Sequence, residues 1–256
     1  MRTGNSKVKL LIGIVIVLFT VFQYYSRSDT NEFTGKKQHI SLSTDQEIAI
    51  GLQSAPEMAK QHGGLYNNQK FQDLVDKVGH KLVNSSVAKQ TVYTYDFHLL
   101  ADSQTMNAFA LPGGQVFITY ALFSKLENED QLAGVLAHEI GHVVGRHSAE
   151  RLAKQGLTEG ILNGVAVGID PHTAQGAAAI ANVINLSYGR DDELESDELG
   201  VKFMIDAGYN PNELIGVMKI LKDAAGPNQV SERMSTHPDP ENRIEKIKAA
   251  IEKYKK

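Results

Sequence analysis

The stretch AHEIGH, residues 137–142, carries two histidines four positions apart and a glutamate directly after the first. On an α-helix, residues four apart lie one turn above each other, so His138 and His142 present their imidazoles to one point. Glu139 stands beside that point without facing it. This H-E-x-x-H spacing predicts two zinc ligands and a carboxylate that can take a proton from metal-bound water.

The alternative interpretation of this motif is a surface helix with two solvated histidines. The neighbouring residues argue against it, because most of the helix is apolar. Burying two imidazoles and a carboxylate among apolar residues is costly unless something pairs with them, and a metal ion would do so. The apolar neighbours are Leu132, Val135, Leu136, Ile140, Val143 and Val144.

A catalytic zinc site needs three protein ligands and one open position. The chain has no cysteine, so His, Asp or Glu must supply the third ligand. In the downstream segment GRDDELESDELG, Glu193 and Asp197 are four apart and share a helical face. Glu193 is therefore the candidate third ligand, and Asp197 is the candidate partner for the free nitrogen of a ligand histidine. Glu195 lies about 200° around the helix from Glu193 and points elsewhere.

His237, in the segment THPDP, is a further candidate catalytic residue. Two roles are open: donation to a developing oxyanion, or occupation of the open zinc position in a resting form. A loop histidine with backbone partners is the alternative, and Arg243 is a candidate to orient that loop. His147 lies about 140° around the helix from His142, so we expect a structural or capping role for it and no metal ligation.

The patterns around these residues predict a mostly helical α+β domain with a small antiparallel sheet. Thr44 and Glu47 suggest a capping box that begins a first helix, and Asn128 with Gln131 suggests the cap of the helix that carries the histidines. The segment 91–102 alternates as a strand does, and NAFALPGGQVFITYAL reads as a hairpin. Further helices are expected over 173–189, 191–208, 210–224 and the basic C-terminal segment.

The N-terminus predicts a membrane segment. Arg2, Lys7 and Lys9 precede the apolar run 10–22, and Tyr24 and Tyr25 follow it. Because no A-x-A site follows the run, residues 1–25 favour an uncleaved anchor over a cleaved signal. The preceding basic residues predict a single-pass protein whose domain lies on the extracytoplasmic, periplasmic side. Residues 26–42 read as a polar linker and residues 43–256 as the catalytic domain.

The charge balance bears on possible partners. The net charge of −4, without a lysine or arginine stripe, gives no electrostatic footprint for nucleic acid. The glycine-rich and alanine-rich segment 156–183 allows two interpretations, close helix packing or a mobile flap facing the membrane. The oligomeric state is left open.

Four segments in order, NAFALPGGQVFI, HEIGH, ELESD and STHPDPENRI, resemble the M48 family of zinc metallopeptidases over about residues 40 to 250. The resemblance implies a zincin-type (gluzincin) fold, one Zn²⁺ per chain and Glu193 as the third ligand. The chain resembles most the short, single-domain extracytoplasmic branch. Ser196 stands where the family usually has alanine, a departure that leaves the ligands unchanged.

These features predict a zinc-dependent endopeptidase that acts on misfolded or loosely folded envelope proteins, with Glu139 as general base and acid. The hairpin residues Asn107, Ala108, Phe109 and Ala110 are the candidate edge strand for an extended protein or peptide substrate. An ordinary core hairpin is the alternative for that segment. For the whole protein, the alternatives are a zinc-binding, chaperone-like module that does not cut, and a small-molecule zinc hydrolase.

Overall fold

The computed structural model describes residues 3–169, 188–225, 237 and 242–255 of the chain. It divides into two compact units. The first comprises Met1–Leu42 with Ser148–Leu186, and the second comprises Ser43–His147 with Ser187–Lys256. The predicted helix over 173–189, except for its last two residues, and the half of the segment 156–183 from residue 170 onward lie outside the described residues.

The first unit contains one long apolar helix and a short β-hairpin. Helix α1 (Thr3–Ser26) includes the stretch Val8–Ser26, which is long and apolar enough to cross a membrane and has a mean hydropathy of 2.0. Strands β1 (Ser28–Thr30) and β2 (Lys37–His39) pair antiparallel. The segment 26–42 is therefore not the aperiodic linker that its polar composition suggested. The Asn31 side chain forms the turn by accepting hydrogen bonds from two backbone N–H groups that follow it, which reverses the chain.

The second unit begins with helices α2 (Thr44–Gln61) and α3 (Gln69–Ser85). The capping box of α2 is formed by Ser43 and Gln46, one residue before the predicted pair. Glu47 is buried instead and accepts a hydrogen bond from Arg146 Nε at 2.9 Å. The predicted capping box of Thr44 and Glu47 was wrong by one residue, because Ser43 and Thr44 both suit the N-cap position and Glu47 pairs with Arg146 instead.

The main sheet contains β3 (Asp96–Leu100), β4 (Ala108–Ala110) and β5 (Gln115–Thr119) in the order β3-β5-β4. The predicted hairpin is confirmed, since β4 and β5 pair antiparallel around a turn with positive φ at Gly113 and Gly114. The sheet is nevertheless mixed, because β3 pairs parallel to β5. Strand β5 is the central strand, with its hairpin partner β4 on one side and β3 on the other. Every residue of β5 is buried, as expected for a strand with a neighbour on both sides.

The remaining elements complete a mostly helical unit around a central helix, α5. The Asn128 side chain caps α5, as predicted, by accepting from Gln131 N at 2.8 Å. Every residue of α5 from 131 to 144 is buried, and the helix packs against α3, β4, α7 and α8. The bounds are α4 (Tyr120–Phe123), α5 (Glu129–Val144), α7 (Arg190–Asp206), α8 (Glu213–Ala225) and α9 (Arg243–Tyr254). Helix α6 (His147–Ile169) follows α5 in the chain and belongs to the first unit from Ser148 onward.

Candidate metal centre

The backbones of helices α5 and α7 approach each other closely where the two helices cross. A Cβ built on Gly141 of α5 would lie 2.9 Å from the backbone oxygen of Ser196 on α7. A Cβ on Gly200 of α7 would lie 3.3 Å from the backbone nitrogen of His138. Small residues at the crossing therefore let the helices meet closely enough for a carboxylate on α7 to reach the histidines on α5.

Three ligand groups converge at this crossing. The Nε2 atoms of His138 and His142 are 3.1 Å apart, and the two carboxylate oxygens of Glu193 divide between them: Oε2 lies 3.4 Å from His138 Nε2 and Oε1 lies 3.4 Å from His142 Nε2. Zinc–nitrogen bonds of roughly 2.0–2.1 Å separate two ligands of a tetrahedral ion by about 3.3–3.4 Å. The three residues thus fit the spacing of zinc ligands without rearrangement.

The hydrogen bonds behind the histidines also fit a metal. Asp197 Oδ1 accepts from His138 Nδ1 at 2.8 Å, which leaves the lone pair of a neutral His138 on Nε2. A neutral His142 whose Nδ1 carries the proton likewise points its Nε2 lone pair at the same place. Two lone pairs 3.1 Å apart repel unless a cation lies between them, so these residues could hold a metal ion.

Arg243 neutralises the carboxylates around the site. Its Nε and Nη2 atoms donate to the two oxygens of Asp197 at 2.6 and 2.9 Å, and Nη2 lies 3.2 Å from Glu193 Oε2. The guanidinium is buried, so the contact with Asp197 is a bidentate pair shielded from water. Arg243 was expected to orient the loop of His237, most of which lies outside the described residues; among the described residues it contacts the carboxylates of Asp197 and Glu193.

His237 closes the cluster. Its Nδ1 lies 2.9 Å from Glu193 Oε1 and 3.4 Å from His138 Nε2, and its Nε2 lies 4.0 Å from Glu139 Oε1. All of these side chains are buried. His138, His142, Glu193 and His237 each offer one donor atom, and these atoms all lie within 4.8 Å of one another.

The protonation preferences of the site follow from burial and charge. Burial raises the pKa of Glu193 and Asp197, but the positive neighbours outweigh it: His237 for Glu193 and Arg243 for Asp197. Both pKa values therefore lie below their ordinary range. Burial lowers the pKa of His142 well below 6.5. For His138 burial also lowers the pKa, but hydrogen bonds to Asp197 and Glu193 raise it by more. The carboxylates are thus charged and His142 is neutral, as metal ligation requires, whereas the raised pKa of His138 favours a proton that a bound cation would displace.

The predicted substrate strand lies next to the helix that carries the histidines. Ala108, Phe109 and Ala110 form β4, at the edge of the sheet, and α5 packs against this strand. Asn107 is buried just before it, where its backbone N–H donates to Thr119 Oγ1 at 3.0 Å. The structure places these residues beside the helix of the metal cluster.

Two contacts of the site escaped the sequence analysis. His147 Nδ1 lies 2.9 Å from His142 Nδ1, and His147 Nε2 lies 2.8 Å from Glu195 Oε2. Angles counted along one helix did not reveal this, because α5 ends at Val144 and the chain turns before His147. The turn residue Arg146 has a positive φ of 55°, which breaks the helical periodicity that the prediction assumed.

A buried H-E-x-x-H helix, joined by a carboxylate from a second helix beside a small sheet, defines the class of zincin-like metallopeptidases. The comparison with known proteins gives the family. Residues 68–251 match peptidase family M48, and the chain belongs to this family of metal-dependent proteases.

Curated relatives are found in bacteria and mitochondria. The chain is 27% identical over 252 residues to the beta-barrel assembly-enhancing protease of Escherichia coli (strain K12), covering 92% of this chain and 51% of that protein. It is 29% identical over 221 residues to the protein of the same name from Yersinia pestis, covering 82% and 45%. It is 28% identical over 243 residues to the mitochondrial metalloendopeptidase OMA1 of Schizosaccharomyces pombe, covering 93% and 69%. The chain thus spans about half the length of the two bacterial relatives.

Proposed function

We propose that this metalloprotease is a zinc-dependent endopeptidase whose metal is held by His138, His142 and Glu193. The observation that carries the proposal is the convergence of these three side chains: the two Nε2 atoms are 3.1 Å apart, and each lies 3.4 Å from a carboxylate oxygen of Glu193, distances close to those between ligands of a tetrahedral zinc ion. The donor set of two imidazoles and one carboxylate is also one that catalytic zinc sites use.

Glu139 would act as general base and then as general acid. Zinc, when bound, supplies a Lewis acid that polarises the scissile carbonyl and lowers the pKa of a water molecule. Glu139 follows the first ligand on α5, so its carboxylate is buried at the rim of the cluster. From there it would take a proton from the attacking water and return it to the leaving amine.

His237 would fill the fourth donor position in a resting form of the enzyme. Its Nδ1 lies 3.4 Å from His138 Nε2, and one donor atom from each of the four residues lies within 4.8 Å of the others. A catalytic site needs this position for water and substrate, so His237 would have to move away during turnover. Donation to the oxyanion, the other role considered for His237, would follow such a movement.

The substrate would bind as an extended chain along β4. An edge strand offers main-chain hydrogen bonds to any sequence, and such binding favours polypeptides that are locally unfolded. The residues Asn107, Ala108, Phe109 and Ala110 would form this surface. We therefore propose misfolded or loosely folded envelope proteins as substrates. The proposal includes no nucleic-acid partner.

The stretch Val8–Ser26 would anchor the protein in a membrane by a single pass. It has 19 residues and a mean hydropathy of 2.0, and most of its surface is exposed, as expected for a helix that meets lipid. The basic residues before it favour a cytoplasmic N-terminus, which would place the catalytic unit on the extracytoplasmic, periplasmic side.

The test is casein digestion by the full chain purified in detergent, with metal content measured in parallel. We expect one zinc per chain, internal cleavage of casein, loss of cleavage with a chelator and recovery when zinc is added back. Zinc binding without cleavage would contradict the proposal and favour a chaperone-like module. A lack of zinc binding would contradict the metal centre itself.

A further inference from the structure

We propose that His147 and Glu195 are positioning residues: together they fix the tautomer and ring direction of His142 so that its Nε2 faces the metal. This inference rests on the proposed function, because it concerns a ligand of the proposed zinc site. Neither residue touches the metal position or the substrate strand. Their effect would pass through the His142 imidazole alone.

The contacts form a continuous chain from the surface to the cluster. Glu195 Oε2 lies 2.8 Å from His147 Nε2, and His147 Nδ1 lies 2.9 Å from His142 Nδ1. The side chains of His147 and His142 are inaccessible to solvent, whereas that of Glu195 is 18% exposed. The outer end of the chain therefore reaches water and the inner end reaches the metal position.

Proton positions along this chain follow from the donor and acceptor capacity of each group. An ionised carboxylate only accepts, so Glu195 holds the proton of a neutral His147 on Nε2. His147 Nδ1 then carries a lone pair and accepts from His142 Nδ1. The proton of a neutral His142 is thereby held on Nδ1, and its Nε2 lone pair is free for the metal. Asp197 acts on His138 in the same way: its Oδ1 lies 2.8 Å from His138 Nδ1 and holds the proton of a neutral His138 on that nitrogen.

The turn between α5 and α6 holds the His147 ring in place. A Cβ on Gly145 would lie 2.4 Å from His147 Nε2, so the absence of a side chain there makes room for the imidazole. The next residue, Arg146, adopts a positive φ of 55°, and its Nε donates to the buried Glu47 at 2.9 Å. This ion pair stabilises a backbone conformation that non-glycine residues rarely adopt.

A second metal site is the competing interpretation of the same residues. His147, Asp192 and Glu195 offer donor atoms within 4.8 Å of one another. A metal on His147 Nε2 would leave the proton of a neutral His147 on Nδ1, facing His142 Nδ1. His142 would then have to carry its own proton on Nε2, where the first metal binds. The two sites exclude each other, and the H-E-x-x-H cluster is the more complete one.

The decisive comparison is His147→Asn against His147→Leu in the full chain. The two side chains have nearly the same shape, but asparagine keeps an acceptor oxygen about where Nδ1 lies and leucine has none. Zinc affinity is measured by competition with a chromophoric chelator, which needs no protease activity. We expect a 10- to 100-fold loss for leucine, the usual effect of removing a partner behind a ligand histidine, and a clearly smaller loss for asparagine.

Glu195→Gln and Glu198→Gln form the matched pair on α7. Glu198 carries the same charge on the same helix but contacts Lys253 and Tyr254, so its substitution should leave zinc affinity unchanged. Glu195→Gln should weaken zinc binding, and should shift the visible absorption of the cobalt-substituted protein, because the amide of glutamine can turn its donor N–H toward His147 Nε2, and the tautomers of His147 and His142 would then no longer be fixed. Equal zinc affinity in wild type, His147→Leu and Glu195→Gln would overturn the proposal. Two zinc ions per chain would also overturn it.

These outcomes are separable from failure of the proposed function. If the wild type binds zinc but does not cut casein, the protease proposal fails, and the affinity comparison still tests the positioning role. If the wild type cuts and His147→Leu retains full zinc affinity, only the positioning role fails. A thermal unfolding curve of each metal-free variant checks that leucine has not simply prevented folding, and Gly145→Ala, which displaces the ring without altering His147, provides a second test.

Discussion

The hydroxyl of Ser196 donates a 2.6 Å hydrogen bond to the backbone carbonyl of His138. This bond joins α7 to α5 at the level of the first histidine of the motif. The residue that the family usually has as alanine is therefore a contact between the two helices here. Gly141, one turn further along α5, faces the same serine.

We expect Gly141→Ala to destabilise the protein by about 1–3 kcal/mol, because its Cβ would lie 2.7 Å from Ser196 Oγ and 2.9 Å from the Ser196 backbone oxygen. Ser196→Ala should cost only about 1 kcal/mol, the contribution of one buried hydrogen bond. The double variant should not recover stability, since the backbone oxygen remains. Urea denaturation of the metal-free proteins measures each value.

Gly156→Ala in α6 is the control for the glycine prediction. The added Cβ meets no atom within 4 Å there, so the substitution should be neutral or slightly stabilising. If Gly141→Ala is as stable as Gly156→Ala, the close approach of α5 and α7 is wrong.

Glu193→Gln should abolish tight zinc binding while the protein still folds. The carboxylate oxygens of Glu193 lie 3.4 Å from both histidine Nε2 atoms, and glutamine removes the charge that the cation needs. Equilibrium dialysis against buffered zinc measures the loss of zinc affinity. We expect this loss to exceed about 100-fold, because removing only a residue that hydrogen-bonds a ligand already costs about 10–100-fold. Unchanged zinc content in Glu193→Gln would show that another group is the third ligand.

His237→Ala should lower zinc affinity and raise kcat/KM, because it removes the side chain that closes the fourth position. The Nδ1 atom of His237 lies 2.9 Å from Glu193 Oε1 and 3.4 Å from His138 Nε2. Turnover and zinc affinity are measured together on casein. A fall in kcat with unchanged affinity would instead favour an oxyanion donor. Two unchanged values would favour a loop histidine without either role.

The sequence predicted the parts of the site that one helix encodes. His138, His142 and Glu139 follow from spacing along α5, and Glu193 with Asp197 follows from spacing along α7. The contact of Asp197 with His138 agrees with this reasoning, because both residues keep their helical directions.

What the sequence left out depends on contacts between distant elements. The partners of Arg243 could not be read from periodicity, since α9 meets α7 only in the folded unit. The parallel pairing of β3 with β5 was missed for a similar reason: alternation predicts strands but not their neighbours. The contact of His147 with His142 was not foreseen because the turn at Arg146 interrupts the helix.

Asp102 gives a prediction about pH. Burial raises its pKa, but hydrogen bonds from Thr105, His62 and Gln104 outweigh burial and lower the pKa to about 2. A lowered native pKa means that the charged form stabilises the protein above the unfolded pKa of 3.8, and this contribution is lost as the pH falls through about 2. Asp102→Asn should therefore be less stable than wild type at pH 7, and the difference should shrink as the pH falls from about 4 toward 2.

Solvent screening limits the size of this effect, since Asp102 is partly exposed, to about 1 kcal/mol or less. Denaturation of both metal-free proteins from pH 7 to pH 2 measures it. If the difference in unfolding free energy between wild type and Asp102→Asn stays constant as the pH falls, the hydrogen bonds from Thr105, His62 and Gln104 do not stabilise the charged form of Asp102.

The most direct test of the central claim is Glu139→Gln measured beside the wild type, with Glu129→Gln as the control at the exposed start of the same helix. Each full-length protein is assayed for zinc content and for casein cleavage. The account predicts one zinc per chain in all three, and a loss of at least about 100-fold in cleavage for Glu139→Gln alone. Wild-type cleavage by zinc-loaded Glu139→Gln would contradict it.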